Sequence, residues 1–276
     1  MSKPVLEQLE DRACPSVVTY HGGSVLLSPA IANLFVGDYD YNLDHTTTVV
    51  TGDYTRDFLG IYGISPGVHD GTVQLPSQGA ISDHQVRQLL AQEIDLGELP
   101  APDGTNQGYL VHLDYHVTDV QNAGAYHGYF AHNGVYVPYG VDFKGDDGTG
   151  WTHEYVEMAT DPFLAGWYGD NPQTQEIADL GRGNAFKYEG VNVIVPITPN
   201  GQYFTTPMPY VPITNYTPQQ QPYQSPTVTY LVYYFFQEYA TFVTAVARQD
   251  YATASTAQLA LTFDALELQA VLGNIF

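Results

Sequence analysis

Positive charge is scarce in this sequence. The chain of 276 residues has 8 Lys plus Arg against 30 Asp plus Glu, which gives a formal net charge of -22. Nucleic-acid binding needs clustered Lys and Arg to neutralise phosphates, and anionic membrane surfaces attract the same residues. Both classes of partner are therefore disfavoured. The acidity favours solubility or, alternatively, the binding of a hard cation by carboxylates.

Cysteine is almost absent as well. The single thiol, Cys14, excludes an internal disulfide framework and a Cys-rich zinc finger. Residues 1–16 lack the apolar run of an ordinary signal peptide. Neither a phosphate-binding Gly-Lys-Thr loop nor a Gly-x-Ser-x-Gly elbow occurs, so no motif predicts P-loop or serine-hydrolase chemistry.

Aromatic and apolar residues are plentiful by contrast. Apolar residues make up 44% of the chain, which is enough for a sizeable core. Tyrosine is unusually common, at 23 residues, and is accompanied by many Asn, Gln, Thr and Gly. This polar aromatic composition favours an extracellular or cell-surface protein in a carbohydrate-rich setting.

Hydrophobic periodicity and turn signals predict one α/β main domain over residues 17–213, with helices on a twisted mixed sheet. Asn133-Gly134 marks a hairpin, and Ser82 with Gln85 forms a capping box at the start of the clearest helix. Strands are predicted over residues 17–20, 31–36, 109–117, 126–130, 135–141 and 191–197, and helices over residues 46–62, 82–96 and 152–160.

The remaining segments flank this domain. Residues 1–16 form a tail, and residues 214–226, rich in Pro, Gln and Tyr, form a linker. Residues 227–276 predict a C-terminal helical hairpin, with helices over residues 227–247 and 252–272. The first helix approaches the length of a membrane span, but polar residues such as Glu238 interrupt it. We expect the hairpin to pack on the main domain or on a partner rather than to cross a membrane.

The most chemically informative segment is WTHEYVEMATDP at residues 151–162. On a helix His153 and Glu157 share one face, because they are four residues apart, and both types of side chain can bind a metal ion. Glu154 lies beside them, where it can act as a general base toward a metal-bound water. This is the logic of the zinc-peptidase motif H-E-x-x-H, with Glu157 in place of the second His. An anionic ligand makes zinc a weaker Lewis acid, so binding is better supported than catalysis.

The spacing leaves the third ligand open. Asp161 follows the predicted helix and could turn back toward it. Glu176 and Asp179 lie within reach of a return of the chain, and His127 could arrive from the preceding hairpin. Zinc is the expected ion and calcium the alternative, since most of these candidates are carboxylates. The alternative is a purely structural role, in which acidic residues near the N-terminus of the helix interact favourably with the helix dipole.

Several segments, in order between about Tyr20 and residue 204, resemble the phosphate-induced, EXORDIUM-like family. They are YHGG at 20–23, DFLGIYGI at 57–64, IDLGELP at 94–100, HEYVE at 153–157, TDP at 160–162, GWY at 166–168 and EIAD at 176–179. The resemblance implies a cell-surface or secreted protein, and its zinc-peptidase-like motif implies a metzincin-like fold. Ala125 and Gly181 stand near positions where the family often has Cys, so a disulfide between those positions is absent from this chain. LEQLEDR at residues 6–12 is similar to an N-terminal tag of planctomycete proteins, many of them thought to be exported.

Two functions follow as hypotheses. The first is a secreted zinc-dependent hydrolase, peptidase-like, with Glu154 as the base and a peptide as substrate. The second is a non-catalytic cell-surface protein that binds polysaccharide or another protein, with a structural metal or none. Metal analysis and a protease panel distinguish the two.

Overall fold

The computed structural model describes residues 18–202, except for 119, 121–123, 144, 146, 171–174 and 182–184. The predicted tail at 1–16, the linker at 214–226 and the helical hairpin within 227–276 lie outside the described residues. None of the described helices is both long and apolar enough to cross a membrane.

The described part is a mixed α/β structure of strands and a few helices. Its strands are β1 (Thr19–Tyr20), β2 (Ala30–Val36), β3 (Val68–Leu75), β4 (Gln107–Leu113), β5 (Ala125–His132), β6 (Val135–Phe143), β7 (Trp167–Tyr168), β8 (Ala185–Tyr188) and β9 (Val191–Ile194). Its α-helices are α1 (Tyr41–Val49), α2 (Asp83–Leu96), α3 (Thr149–Thr160) and α4 (Ile177–Leu180).

A five-stranded mixed sheet forms the centre, in the order β3-β2-β4-β6-β5. Strands β2, β3, β4 and β6 run parallel, and β5 lies at one edge, antiparallel to β6. The β5–β6 hairpin turns at Asn133 and Gly134, which have φ values of 51° and 80°. Both residue types tolerate the left-handed region, so the predicted hairpin is confirmed for a local reason. Two short antiparallel pairs, β1 with β7 and β8 with β9, complete the sheets.

The first helix begins earlier than the sequence predicted. We expected it over residues 46–62, but α1 starts at Tyr41 because the Asp40 carboxylate accepts hydrogen bonds from the amides of Asn42 and Leu43. The helix continues as a π-helical segment, Val50–Leu59, and a short 3-10 segment, Gly60–Tyr62. It ends at Gly63, whose φ of 81° makes it the left-handed cap, as predicted.

The other predicted elements differ mainly at their ends. The strand expected over residues 109–117 ends at Leu113, that over 191–197 ends at Ile194, and the site helix begins at Thr149 rather than at residue 152. The capping box of α2 is confirmed, since Ser82 and Gln85 exchange side-chain and backbone hydrogen bonds. Strand β3 was not predicted, because its side chains are mostly exposed and show no apolar alternation.

Two hydrophobic clusters hold the layers together. One includes Trp151, Tyr155 and Met158 of α3 with Tyr54 and other residues of the π-helical segment. The second cluster packs the apolar face of α2 against residues of the central strands. Burial of side chains this size contributes about 1.5–3 kcal/mol each, so both helices are fixed by their apolar faces.

Glycine lets α3 lie close to the sheet. A Cβ atom at Gly140 of β6 would lie 2.8 Å from Leu110 Cδ2 and 3.2 Å from Glu154 Cβ. A Cβ atom at Gly108 of β4 would lie 2.9 Å from Ile31 Cδ1 and 3.1 Å from Met158 Cε. Strands β4 and β6 therefore have room for α3 only because these positions lack side chains.

Candidate metal centre

Helix α3 carries the predicted motif in helical form. The helix follows Gly148, whose φ of 99° is left-handed, and the Asp147 carboxylate accepts from the backbone N and the Oγ1 of Thr149. It ends before Asp161, whose extended φ of -147° leads into Pro162. The prediction that residues 152–160 are helical is confirmed.

His153 and Glu157 meet on one face of α3. The Nε2 atom of His153 lies 2.9 Å from Glu157 Oε1. Asp179 of α4 joins them, because its Oδ1 lies 3.5 Å from His153 Nε2 and its backbone N–H donates to Glu157 Oε1 at 3.2 Å. We call this group the outer site. Its three side chains present ligand atoms all within 4.8 Å of one another.

His127 reaches the same helix from the edge strand β5. Its Nδ1 atom lies 3.5 Å from Glu154 Oε2 and 3.4 Å from Glu157 Oε2. His127, Glu154 and Glu157 form a second group whose ligand atoms lie within 4.8 Å of one another, and we call it the inner site. On its other side, His127 Nε2 faces Glu176 Oε1 at 3.4 Å. Glu157 thus belongs to both groups.

Asp161 is used differently. Its Oδ1 atom accepts hydrogen bonds from the backbone N–H groups of Ala165 and Gly166, at 2.5 and 2.6 Å. The residue is fully buried, and it belongs to neither group of converging ligand atoms. Its described contacts therefore tie the loop after α3 to the end of the helix, rather than serving as the third ligand that the sequence allowed.

Burial is the main source of unusual ionisation here. Glu154 is only 5% exposed, and its burial raises its pKa to about 7. Burial likewise raises the pKa of Asp161 to about 7 and that of Glu176 well above its ordinary value. A carboxyl group that titrates near neutrality can accept and return a proton, which suits Glu154 to acid–base chemistry.

The pKa values of His153 and His127 shift in the direction opposite to the effect of burial alone. Burial opposes their charged forms, but the surrounding carboxylates prevail, so the pKa of His153 rises to about 11 and that of His127 well above its usual value. Burial also opposes ionisation of Glu157, yet hydrogen bonds and charge from both imidazoles lower its pKa to about 2. The cluster is strongly anionic and draws positive charge toward Glu157.

A pocket of about 540 Å³ opens beside the motif. His153 and Glu154 form part of its wall, so both are accessible to a molecule in the pocket. The remaining described lining residues are His116, Gly124, Ala125, Phe143, Gly145, Thr149, Gly150 and Ile194. The pocket lies at the carboxyl end of β6, where ligands commonly bind in sheets of parallel strands.

Sequence reasoning did not identify the pocket residues His116 and Phe143, whose rings lie 4.3 Å apart. His116 was treated as one of several scattered surface or hydrogen-bonded histidines, and nothing in its spacing marks a pocket. His112 and His116 were expected to face one side of the same strand. That expectation is wrong for His116, because β4 ends at Leu113. His112 is buried and pairs with Asp142 at 2.5 Å on the neighbouring strand.

Each of the two sites combines one imidazole nitrogen with carboxylate oxygens, so either group could hold a metal ion. Zinc accepts both kinds of ligand, whereas calcium binds oxygen ligands.

Comparison with known proteins adds no relative. No protein-family model, no curated protein and no solved structure matches this chain.

Proposed function

We propose that this chain is a secreted or cell-surface, EXORDIUM-like zinc hydrolase of the peptidase-like type. The observation that carries the proposal is the convergence of His153, Glu157 and Asp179, together with the position of His153 and Glu154 on the wall of an open pocket. Two of these residues come from one helical turn and the third from α4, so the tertiary fold supplies a ligand that the motif lacks.

Each residue of the proposed site has a separate role. His153, Glu157 and Asp179 would hold the ion at the outer site, and Glu154 would accept a proton from the attacking water and return it to the leaving group. A zinc ion bound there would lower the pKa of a water and polarise the scissile carbonyl. Burial raises the pKa of Glu154 to about 7, which matches a base that works near neutral pH.

The surroundings favour an extended peptide as substrate. Strand β5 is an edge strand of the described sheet and begins at Ala125, which lines the pocket. An edge strand offers unpaired backbone groups to which an extended peptide can bind as an additional strand. The proposed metzincin-like fold is supported by a mixed sheet with this antiparallel edge beside the motif helix.

The test begins with metal analysis of the full chain purified without chelator. We expect about one tightly bound zinc per chain in the wild type at the outer site, and its loss in His153→Ala. Glu154→Gln should keep that metal but abolish cleavage of a peptide library followed by mass spectrometry, because only the base is removed. Glu98→Gln is a matched control, since Glu98 is an exposed glutamate far along the chain from the motif.

Retention of the full wild-type metal content by His153→Ala would disprove the outer site, and full activity of Glu154→Gln would disprove the base. The second candidate is a non-catalytic protein that binds polysaccharide or protein. It is supported by the ion pairs of His153 and His127, which let the cluster neutralise part of its own charge and brace α4 against α3. A wild type without metal and without cleavage of any peptide would favour this candidate.

A further inference from the structure

The proposed single ion leaves half of the cluster unexplained. The outer site uses Glu157 Oε1, whereas Glu157 Oε2 points toward His127, 3.4 Å from its Nδ1 atom. Glu154 Oε2 lies at a similar distance, 3.5 Å, from the same nitrogen. These separations exceed the 2.7–2.9 Å typical of a charge-assisted hydrogen bond.

The same separations fit ligands around a cation. Ligand atoms about 2.0–2.2 Å from a tetrahedrally coordinated zinc lie about 3.3–3.6 Å from each other. His127 Nδ1 has this spacing to both Glu154 and Glu157. His127 therefore has the position of a ligand with respect to these carboxylates.

A second observation concerns the far side of the His127 ring. His127 Nε2 and Glu176 Oε1 are buried and face each other at 3.4 Å, and neither makes a hydrogen bond among the described residues. The side chains of His127 and Glu176 are 5% and 6% exposed. The carboxylate of Glu176 beside Nε2 favours the ring orientation in which Nδ1 faces Glu154 and Glu157, which is the arrangement of a metal-binding histidine.

The charge balance leads to the same conclusion. Five carboxyl groups, from three glutamates and two aspartates, surround only two imidazoles. Four of the five carboxylates belong to buried residues. Burying a carboxylate is costly unless a cation or a hydrogen bond compensates its charge, so a cation at the inner site would stabilise the buried carboxylates around it. The five are Glu154, Glu157, Asp161, Glu176 and Asp179.

We propose that a second divalent ion binds at the inner site, held by His127, Glu154 and Glu157. Glu157 then bridges the two ions, with Oε1 on the outer ion and Oε2 on the inner one. Glu176 lies on the far side of the His127 ring, where a carboxylate orients a metal-binding imidazole. The inner site rests on its own residues, whereas its bridge to the outer ion and its effect on Glu154 rest on the proposed function.

One consequence is regulatory. Glu154 is the proposed base, and in the two-ion form it is also a ligand of the inner ion. A carboxylate bound to a cation is a poorer base, because the cation stabilises its charged form. Occupation of the inner site therefore switches off hydrolysis, and the chain is active only with the outer ion alone.

The experiment measures zinc stoichiometry in the full chain. Metal-stripped protein is titrated by equilibrium dialysis against zinc, with bound metal counted by mass spectrometry, and all variants carry Cys14→Ser to remove the single thiol. We expect two equivalents in the wild-type background and one in His127→Ala. Glu157→Gln should lose both, since it breaks the bridge. His45→Ala removes an exposed histidine outside the cluster and should keep two.

The outcomes separate this inference from the proposed function. One equivalent in the parent that persists in His127→Ala but disappears in His153→Ala overturns the inner site and leaves the outer site intact. No bound zinc in the parent overturns both. A third outcome is two equivalents in the parent, one equivalent in His127→Ala and two in His153→Ala. This outcome would support the inner site and overturn the proposed function.

A second measurement needs no variant and so does not depend on how well a variant folds. Two Cu²⁺ ions bridged by one carboxylate are spin-coupled and give a half-field electron paramagnetic resonance transition. We expect this signal at two equivalents of Cu²⁺ and not at one. Two uncoupled Cu²⁺ spectra at full loading would overturn the shared Glu157 bridge.

Discussion

The Nε2 atom of His153 lies 2.9 Å from the Oε1 atom of Glu157, one turn later on α3. This contact gives the metal-free protein a partly buried ion pair at the position where the proposed outer ion would bind. The pair holds both side chains in place before any metal arrives, so the site is preorganised by its own electrostatics.

Asp179 is expected to be the third ligand of the outer ion. Asp179→Asn replaces a charged oxygen ligand by a neutral one, so zinc affinity should fall by more than about tenfold while the fold is retained. Competition with a chromophoric chelator measures the change. Asp170→Asn is the control, because Asp170 is exposed and belongs to neither group of ligand atoms. Equal affinities in the two variants would exclude Asp179 as a ligand.

Asp161 should matter for stability and not for metal. Asp161→Ala removes the acceptor of the Ala165 and Gly166 amides and leaves both donors buried or half-buried, which should lower the free energy of unfolding by about 1–3 kcal/mol for each unsatisfied donor. Asp161→Asn keeps one acceptor oxygen and should cost less. Urea unfolding gives the free energies, and zinc analysis of the same samples tests whether Asp161 is needed for metal binding. Loss of zinc in folded Asp161→Ala would show that Asp161 is a ligand after all.

The metal-free protein should lose stability as the pH rises from about 5 to 8. Because burial raises the pKa of Glu154 and Asp161 to about 7, the folded chain holds protons that the unfolded chain has lost. The free energy of unfolding then falls with pH, by about 1.4 kcal/mol per pH unit for one excess proton. Against the effect of burial, Asp179 and Glu157 raise the pKa of His153 to about 11. The charged His153 therefore stabilises the folded state fully below pH 6.5, and this stabilisation is lost as the pH rises from there toward 11, so the free energy of unfolding continues to fall above pH 8.

One group opposes this trend. Burial lowers the pKa of His84 to about 4, so the contribution of His84 to the free energy of unfolding increases as the pH rises toward 6.5. Glu154, Asp161 and His153 together have the larger, opposite effect. Urea titrations in chelator across this range measure the slope. Glu154→Gln should make the slope shallower, and saturating zinc should reverse it, because metal binding favours deprotonated ligands. A metal-free protein that gains stability from pH 5 to 8 would refute this account of the cluster.

Gly140 should be required for the close approach of α3 to β6. In Gly140→Ala the new Cβ would lie 2.8 Å from Leu110 Cδ2 and 3.2 Å from Glu154 Cβ, so the helix must shift. We expect a loss of about 1–3 kcal/mol from overpacking and weaker zinc binding. Gly52→Ala is the matched control, since that Cβ meets no atom within 4 Å and should be neutral or stabilising by about 0.5–1 kcal/mol. Equal melting temperatures in the two variants would contradict the packing argument.

Local chemistry explains what could be read from the sequence alone. The capping box at Ser82, the Asn133-Gly134 hairpin and the helical form of the HEYVE motif depend on residues a few positions apart. Their signals survive in a single sequence because turns, caps and one-turn contacts are decided within such windows. The sequence did not predict the polar strand β3 or the start of α1, because neither segment has periodically spaced apolar residues.

Only the tertiary structure decided how the site is completed. The sequence placed His153, Glu154 and Glu157 together but left Asp161, Glu176, Asp179 and His127 as equal candidates. The fold assigns Asp179 to the outer site, His127 to the inner site and Asp161 to the loop. These contacts join α3 to an edge strand and to α4. Their geometry depends on sheet order and on the return path of the chain, which leave no periodic trace in the sequence.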